Sequence, residues 1–114
     1  MEKEFRIRRR QDFVKASSSG VCFKGRFVIV LCCQNTFKIF RVGFTASKKV
    51  GNAVVRNRCK RRMRAAVYET REALMPGFDY VFIARPSLIR AKWQLLKNEI
   101  FSSIQHLIVN KKGC

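Results

Sequence analysis

The chain has 114 residues, enough for one domain that buries roughly two thirds of the surface of its unfolded chain. Hydrophobic residues make up 47% of it, which excludes an intrinsically disordered protein and predicts a packed core. Its 25 basic and 7 acidic residues give a formal net charge of +18, and such an excess favours a polyanionic partner, either nucleic acid or an anionic membrane.

The sequence shows no sign of a membrane or secreted protein. No apolar run approaches the eighteen or so residues that a membrane-spanning helix needs, and the N-terminal MEKEFRIRRRQDF lacks the apolar block of a signal peptide. The five cysteines include the adjacent pair Cys32 and Cys33 and form no CxxC motif. We interpret them as small apolar residues in a reducing compartment, with a zinc site or a disulfide framework as the alternatives. A cytoplasmic protein is therefore expected.

The first half of the chain predicts a helix followed by strands. A basic arm over residues 1–10 runs into a short helix that stops at the serine and glycine cluster 17–20. Residues 21–23 suit a short edge strand, and the apolar run RFVIVLCC at 26–33 has the length of a buried strand. The alternation in FKIFRVGFTAS at 37–47 predicts another strand, paired antiparallel with the one at 26–33.

The second half predicts two helices separated by a strand. Asn52 is a plausible N-cap for a helix that stops at Pro76 and Gly77. FDYVFIA at 78–84 reads as a buried strand. Apolar residues recur every three or four positions in both helices: Val55, Cys59, Met63, Ala66, Thr70 and Ala73 in the first, and Trp93, Leu96, Ile100, Ile104 and Leu107 in the second. The order αβββαβα indicates a single α+β domain, a sandwich of helices on one sheet, with residues 110–114 as a tail.

The segment 56–64 carries six arginines and lysines in nine positions and no acid. On a helix, Asn57, Lys60, Arg61 and Arg64 fall within an arc of roughly 100°, beside the apolar stripe. Like charges four residues apart destabilise this helix by about 1 kcal/mol in total, a cost that contacts with a phosphate backbone would recover. We therefore expect these charges to face outward and to bind a polyanion. The alternative is a merely solvated face, which is the usual role of a charge run of mixed sign but not of a run with a single sign.

The residues before this helix strengthen that interpretation. Lys48 and Lys49 come just before the glycine and asparagine where the helix starts, and backbone N–H groups at a helix start bind anions. Catalysis by the protein itself is not indicated. The only histidine is His106, and there is no close carboxylate pair, glycine-rich nucleotide loop or Cys/His metal set.

The stretch VGFTASKKVGNAVVRNRCKRRMR resembles the protein subunit of bacterial ribonuclease P. The resemblance rests on the Arg56-Asn57-Arg58 triplet with lysine and arginines at the family's spacing after it. DF at 12–13, RFVIVL at 26–31 and DYVFIARP at 79–86 extend it over most of the chain. It implies a ribosomal-protein-like fold with a left-handed parallel crossover through the basic helix. It also implies the non-catalytic protein subunit of an RNA-based endoribonuclease, which removes the 5′ leader of precursor tRNA with magnesium ions bound mainly by the RNA.

Carried over by resemblance, two groups of residues have functional roles. The RNA-binding residues are Lys48, Lys49, Asn52, Arg56, Asn57, Arg58, Lys60, Arg61 and Arg64. The residues of the cleft for the single-stranded leader are Arg9, Phe13 and Phe27. Ordinary core packing is the alternative for Phe13, and a hydrogen bond within the protein is the alternative to a role of Asn57 in orienting a metal-bound water.

The sequence departs from the family at Ser17 and Val30, where aromatic residues are frequent, so leader stacking is expected to be weaker or to use other residues. The implied partners are ribonuclease P RNA, with one protein per RNA, and the precursor tRNA leader. Two other functions fit the composition. One is a different RNA-binding or ribosomal protein without nuclease activity. The other is a polybasic protein of the membrane surface, but such a protein would need a mobile helix rather than one packed on a sheet.

Overall fold

The computed structural model of the chain describes residues 20–109. Its elements are β1 (Val21–Lys24), β2 (Val28–Gln34), β3 (Arg41–Thr45), α1 (Ala53–Glu69), β4 (Phe78–Ala84) and α2 (Trp93–Val109), with 3-10 turns at Arg71–Ala73 and Pro86–Arg90. This confirms the α+β class and the predicted order from the edge strand onward. The predicted basic arm, first helix and C-terminal tail lie outside the described residues. Between residues 20 and 109, no helix has the length and apolarity to cross a membrane.

The four strands form one sheet in the order β1-β2-β4-β3. β2 is antiparallel to β1 and to β4, whereas β3 is parallel to β4. The prediction that β3 pairs antiparallel with β2 was therefore wrong, because β4 lies between them. β4 is buried along most of its length and suits the centre of the sheet, whereas β3 is shorter and carries Arg41 and Gly43.

The main core lies between the two helices and one face of the sheet. Its largest fully buried side chains are Tyr80, Phe82, Met63, Leu88, Leu96, Ile100, Ile104, Leu107, Val28, Val30, Val42 and Val67. Alternate strand residues point to opposite faces, and the other face of the sheet carries a smaller cluster of Leu31, Cys33 and Val81. The predicted stripe of α2 is confirmed from Leu96 to Leu107, while Trp93 stays partly exposed.

Hydrogen bonds of polar side chains set both ends of α1. Asn52 is the N-cap, as predicted, because its Oδ1 accepts a hydrogen bond from the Val55 N–H at 3.0 Å. The helix ends at Glu69, earlier than the expected stop at Pro76 and Gly77. The Thr70 hydroxyl donates to the Ala66 carbonyl at 2.9 Å, which satisfies a carbonyl of the last turn before a 3-10 turn takes over.

The parallel arrangement of β3 and β4 determines which loops meet. Thr45 pairs with Ile83, and Val28 pairs with Ala84, so the end of β3, the end of β4 and the start of β2 share one end of the sheet. We call this the basic end and define it by the loops 25–27, 46–52 and 85–92. Its loops carry six cations: Arg26, Lys48, Lys49, Arg85, Arg90 and Lys92. The acid Asp79 pairs with Arg41 at the opposite end, one strand length or roughly 20 Å away.

Candidate nucleic-acid interface

Helix α1 buries a narrow side and surrounds it with basic residues. Cys59, Met63, Ala66 and Val67 face the core. The predicted RNA-binding residues divide into two groups by exposure. Asn57, Arg58 and Arg61 are exposed, whereas Arg56, Lys60 and Arg64 are half-buried. The whole basic arc was expected to face outward. Asn57 and Arg61 do so, whereas Lys60 and Arg64 lie at the edge of α1 that is against the sheet.

The half-buried edge of α1 faces β3. The Arg64 guanidinium lies over the Phe44 ring, 5.5 Å from its centroid, and Phe44 stacks on Phe82 with 5.5 Å between ring centroids. Arg56 has a buried Nε with no hydrogen-bond acceptor among residues 20–109. A buried donor without an acceptor costs free energy in the protein alone.

The opposite edge of α1 is attached to the turn after β4. Arg62 donates from Nη1 to the Leu88 carbonyl at 2.8 Å and from Nη2 to the Ala91 carbonyl. Sequence reasoning placed Arg62 in the basic run but not among the RNA-binding residues. The structure gives it a structural contact, since one guanidinium satisfies two carbonyls of the turn. Arg58 lies one helical turn before Arg62 on the same edge of α1. The Arg62 contact therefore also aligns this edge with the basic end of the sheet.

The start of α1 is built to receive negative charge. Gly51 has a φ of +154°, and a Cβ at this position would lie 3.0 Å from Val55, so glycine is required at this bend. Lys48 and Lys49 are exposed in a turn closed by the Val50 N–H and the Ser47 carbonyl at 3.0 Å. No acid occupies the first turn of the helix, so its N–H groups keep their positive potential.

Cys59 lies inside the basic segment and belongs to the core. Its side chain is 1% exposed, and burial raises the pKa of its thiol, while the neighbouring Arg62 and Arg58 oppose that rise. The neutral thiol is thus favoured, which suits packing and not nucleophilic chemistry. Within residues 20–109, no three His, Cys, Asp or Glu side chains are grouped so as to hold a metal ion.

The structure places one of the three predicted cleft residues. Phe27 is 7% exposed, and the Arg26 guanidinium lies over its ring, 5.3 Å from the centroid. Arg9 and Phe13 lie outside the described residues, as does Ser17. Val30, which replaces a frequent family aromatic, is fully buried and pairs with Phe82. The leader cleft stays a prediction, with Phe27 at the basic end of the sheet.

Comparisons with known proteins agree with this geometry. A model of the family Ribonuclease P matches residues 1–108. The ribonuclease P protein component of Enterococcus faecalis is 31% identical over 109 residues, which cover 95% of this chain and 89% of that protein. The component of Streptococcus pneumoniae is 41% identical over 85 residues, which cover 75% of this chain and 69% of that protein.

Solved structures show the same fold. A Staphylococcus aureus RNase P protein mutant with defective mRNA degradation activity matches with a TM-score of 0.83 at 30% identity, over 93% of this chain and 90% of that one. The RNase P protein from Thermotoga maritima matches with a TM-score of 0.79 at 26% identity, over 89% of this chain and 96% of that one. The chain therefore belongs to the ribonuclease P family, as a protein component of that enzyme.

Proposed function

We propose that this chain binds the RNA subunit of ribonuclease P through α1 and the turn that precedes it. We further propose that it holds the 5′ leader of precursor tRNA while the RNA cleaves. The observation that carries the proposal is the exposed side of α1, where Asn57, Arg58 and Arg61 stand with no acid from the start of the helix to Glu69.

Electrostatics explain why this surface suits RNA. The cations of α1 repel one another, and the exposed ones have no carboxylate partner within residues 20–109. Phosphates relieve that repulsion and release bound counterions, so binding becomes favourable and dependent on salt. Lys48 and Lys49 add charge beside the N–H groups of the first turn, where a phosphate oxygen has both hydrogen-bond donors and positive potential.

For the leader, we propose a cleft that includes Arg9, Phe13 and Phe27. An unpaired strand is bound without regard to its sequence where bases meet aromatic faces and phosphates meet arginines. The pairing of Arg26 with Phe27 supports this composition at the basic end. We propose one protein per catalytic RNA.

The proposal assigns the chemistry and the magnesium ions to the RNA. Two of the four acids within residues 20–109 are already engaged, since Asp79 pairs with Arg41 and Glu99 accepts backbone N–H groups. The side chains of residues 20–109 do not fit a magnesium site, because no three of the possible ligands are grouped together. The proposal includes a cytoplasmic location, which the thiols of Cys22 and Cys59 support.

Reconstitution with a bacterial ribonuclease P RNA tests the proposal. Leader release from precursor tRNA at low magnesium is measured with RNA alone, with the chain, and with two double variants. Arg58→Ala/Arg61→Ala removes two exposed cations of α1, and Lys38→Ala/Arg71→Ala removes the same charge before β3 and beyond the last turn of α1, at the end of the sheet opposite the basic end. We expect the chain and the second variant to stimulate release, and the first to lose RNA affinity with a salt slope shallower by roughly 1.4 to 1.8. RNA binding without stimulation of release would overturn the proposal.

A further inference from the structure

We propose that the RNA-binding surface continues from α1 into a second groove at the basic end, and that this groove binds an unpaired RNA strand. The groove lies between the turn before β2, the turn after β4 and the first turn of α2, and encloses about 690 Å³. The inference rests on the proposed function. It extends the RNA-binding surface from Phe27, which also lines this groove, to Arg26, Arg90 and Lys92.

The groove combines cations with exposed apolar side chains. Arg26, Arg90 and Lys92 are exposed along it, and none of the residues between 20 and 109 that line it carries a carboxylate. Between them lie Ile89 and Leu95, which are 44% and 47% exposed. Apolar surface between regularly placed cations suits an unpaired strand, whose phosphates meet the cations while its bases cover the apolar side chains.

The carboxylate of Glu99 lies beside the groove but forms no ion pair with its cations within residues 20–109. Glu99 accepts hydrogen bonds from the N–H groups of Arg26, Phe27 and Val28, at 2.7, 2.8 and 2.9 Å. These backbone donors hold both carboxylate oxygens, so the guanidinium of Arg26 is left to stand over the ring of Phe27. The positive rim is therefore available to an external anion.

Hydrogen bonds between the two turns make the groove a preformed site. The Arg85 side chain donates to the Gly25 carbonyl at 2.8 Å, and the Ser87 hydroxyl donates to the Arg26 carbonyl at 2.5 Å. The Arg85 N–H donates to the Phe27 carbonyl at 3.0 Å. A groove held in this way loses little conformational entropy when a ligand binds.

The groove is continuous with α1. The two N–H groups of Arg62 attach the helix to the turn that carries Ile89 and Arg90. The parallel order of β3 and β4 brings Lys48, Lys49 and the start of α1 to the same end of the sheet. One RNA molecule can thus cover the helix and the groove together. An acidic peptide is the competing occupant, and the attachment of the groove to the basic helix of a ribonuclease P protein favours RNA over it.

The experiment uses the full chain and one matched pair of variants. Arg90→Ala/Lys92→Ala removes one arginine and one lysine from the groove, and Lys38→Ala/Arg71→Ala removes the same residue types at the opposite end of the sheet. Arg90 and Lys92 make no side-chain hydrogen bond within residues 20–109, and the contacts of Arg71 in the control are with the exposed Tyr68, so both variants are expected to fold. Unfolding curves confirm this before binding is measured.

The experiment has two arms, which are binding measurements with two different RNAs, and together they identify which RNA supplies the unpaired strand. Dissociation constants against salt are measured for ribonuclease P RNA, and for precursor tRNA with long and short leaders bound to the holoenzyme. We expect the groove variant to lose affinity on the order of tenfold in one arm, with a slope shallower by roughly 1.4, relative to the matched control. Loss only with the long leader assigns the groove to the leader; loss with the RNA subunit assigns it to that RNA.

A second variant separates base contacts from charge. Ile89→Ser/Leu95→Ser should weaken binding in the same arm without changing the salt slope, because no cation is lost. If the groove variant matches its control in both arms while Arg58→Ala/Arg61→Ala still loses RNA affinity, the groove inference is wrong and the proposed function stands. If the groove variant instead loses only the binding of a polyglutamate peptide, the groove is a protein site and the inference is equally overturned.

Discussion

Gly25 and Glu99 fit together so closely that a side chain at Gly25 would have to displace the Glu99 carboxylate or the turn. A Cβ built on Gly25 would lie 2.7 Å from the carboxylate carbon of Glu99 and 2.9 Å from the Val28 carbonyl oxygen. The missing side chain of Gly25 leaves the space in which a carboxylate from α2 reaches three successive backbone N–H groups of the hairpin turn. This contact joins the last helix to the first hairpin, far apart in sequence.

Gly25→Ala is therefore expected to lower the free energy of unfolding by about 1 to 3 kcal/mol, since the new methyl group must displace Glu99 or the turn. Glu99→Gln should cost a similar amount, because one acceptor oxygen becomes an NH₂ group that faces N–H donors. Urea unfolding measures both. Glu72→Gln, at an exposed position, is the control and should change stability by less than about 0.5 kcal/mol. If all three variants were as stable as the parent protein, the Glu99 contact would contribute nothing to stability.

Arg61 and Arg62 are neighbours with opposite expected roles. Arg62→Ala leaves the carbonyls of Leu88 and Ala91 without their donor, so we expect a loss of about 1 to 3 kcal/mol in thermal or urea unfolding. Arg61→Ala touches an exposed side chain and should leave stability within about 0.5 kcal/mol while it weakens RNA binding. The reverse order of the two stabilities would contradict the assignment of Arg62 to the fold.

Asp79 forms the buried ion pair of the sheet. Arg41 meets it with two hydrogen bonds, at 2.8 and 2.6 Å, and Asn35 adds a third at 2.8 Å. Asp79→Asn should destabilise the fold by about 3 kcal/mol, because a largely buried guanidinium loses its counter-charge. Glu69→Gln breaks the 3.6 Å pair with Lys97 at the surface and should cost at most about 1 kcal/mol. Chemical denaturation compares them, and equal losses would refute the distinction.

Tyr80 makes stability fall at alkaline pH. Burial raises the pKa of its phenol from 10.0 to about 12, against the opposing effect of the Met75 N–H, which donates to the hydroxyl at 3.0 Å. Below the pKa of the unfolded state, the phenol is protonated in both the folded and the unfolded state, and the contribution of Tyr80 to stability is complete. Between the two values only the unfolded state ionises, so stability is lost as pH rises.

Tyr80→Phe is expected to be less stable than the parent near neutral pH, because the Met75 N–H loses its acceptor. That difference should shrink by about 1.4 kcal/mol at about pH 11, where the parent alone loses the tyrosine contribution. Urea unfolding of both proteins across this range is the measurement, and lysine titration cancels in the comparison. A difference that stays constant with pH would show that the phenol titrates alike in both states.

Local patterns predicted local structure well. The apolar run at 78–84 matches β4 from Phe78 to Ala84, and Asn52 caps α1 as expected, because each signal depends on residues close in sequence. The position of β3 could not be predicted in this way. Alternation shows which of its residues share a face, but it does not say which strand lies beside it, and β4 comes later in the chain.

The same limit applies to the candidate site. Spacing on a helix identified an arc around Asn57 and Arg61, and these side chains are exposed. It could not separate Arg61 from Arg62, since the partners of Arg62 are carbonyl groups in a turn after β4. Arg90 and Lys92 carried no motif and stand apart from the basic run, so only the fold brings them beside Arg26.

The central place of β4 has a consequence for synthesis of the protein. Among the strands of residues 20–109, β3 pairs with β4 alone, yet the whole basic helix leaves the ribosome before β4. The hairpin of β1 and β2 can form early, but β3 and α1 must wait for a strand still inside the exit tunnel. A nascent chain that ends before Phe78 therefore carries all the charge of α1 without a surface to orient it, and faithful RNA recognition is expected only once translation is almost complete.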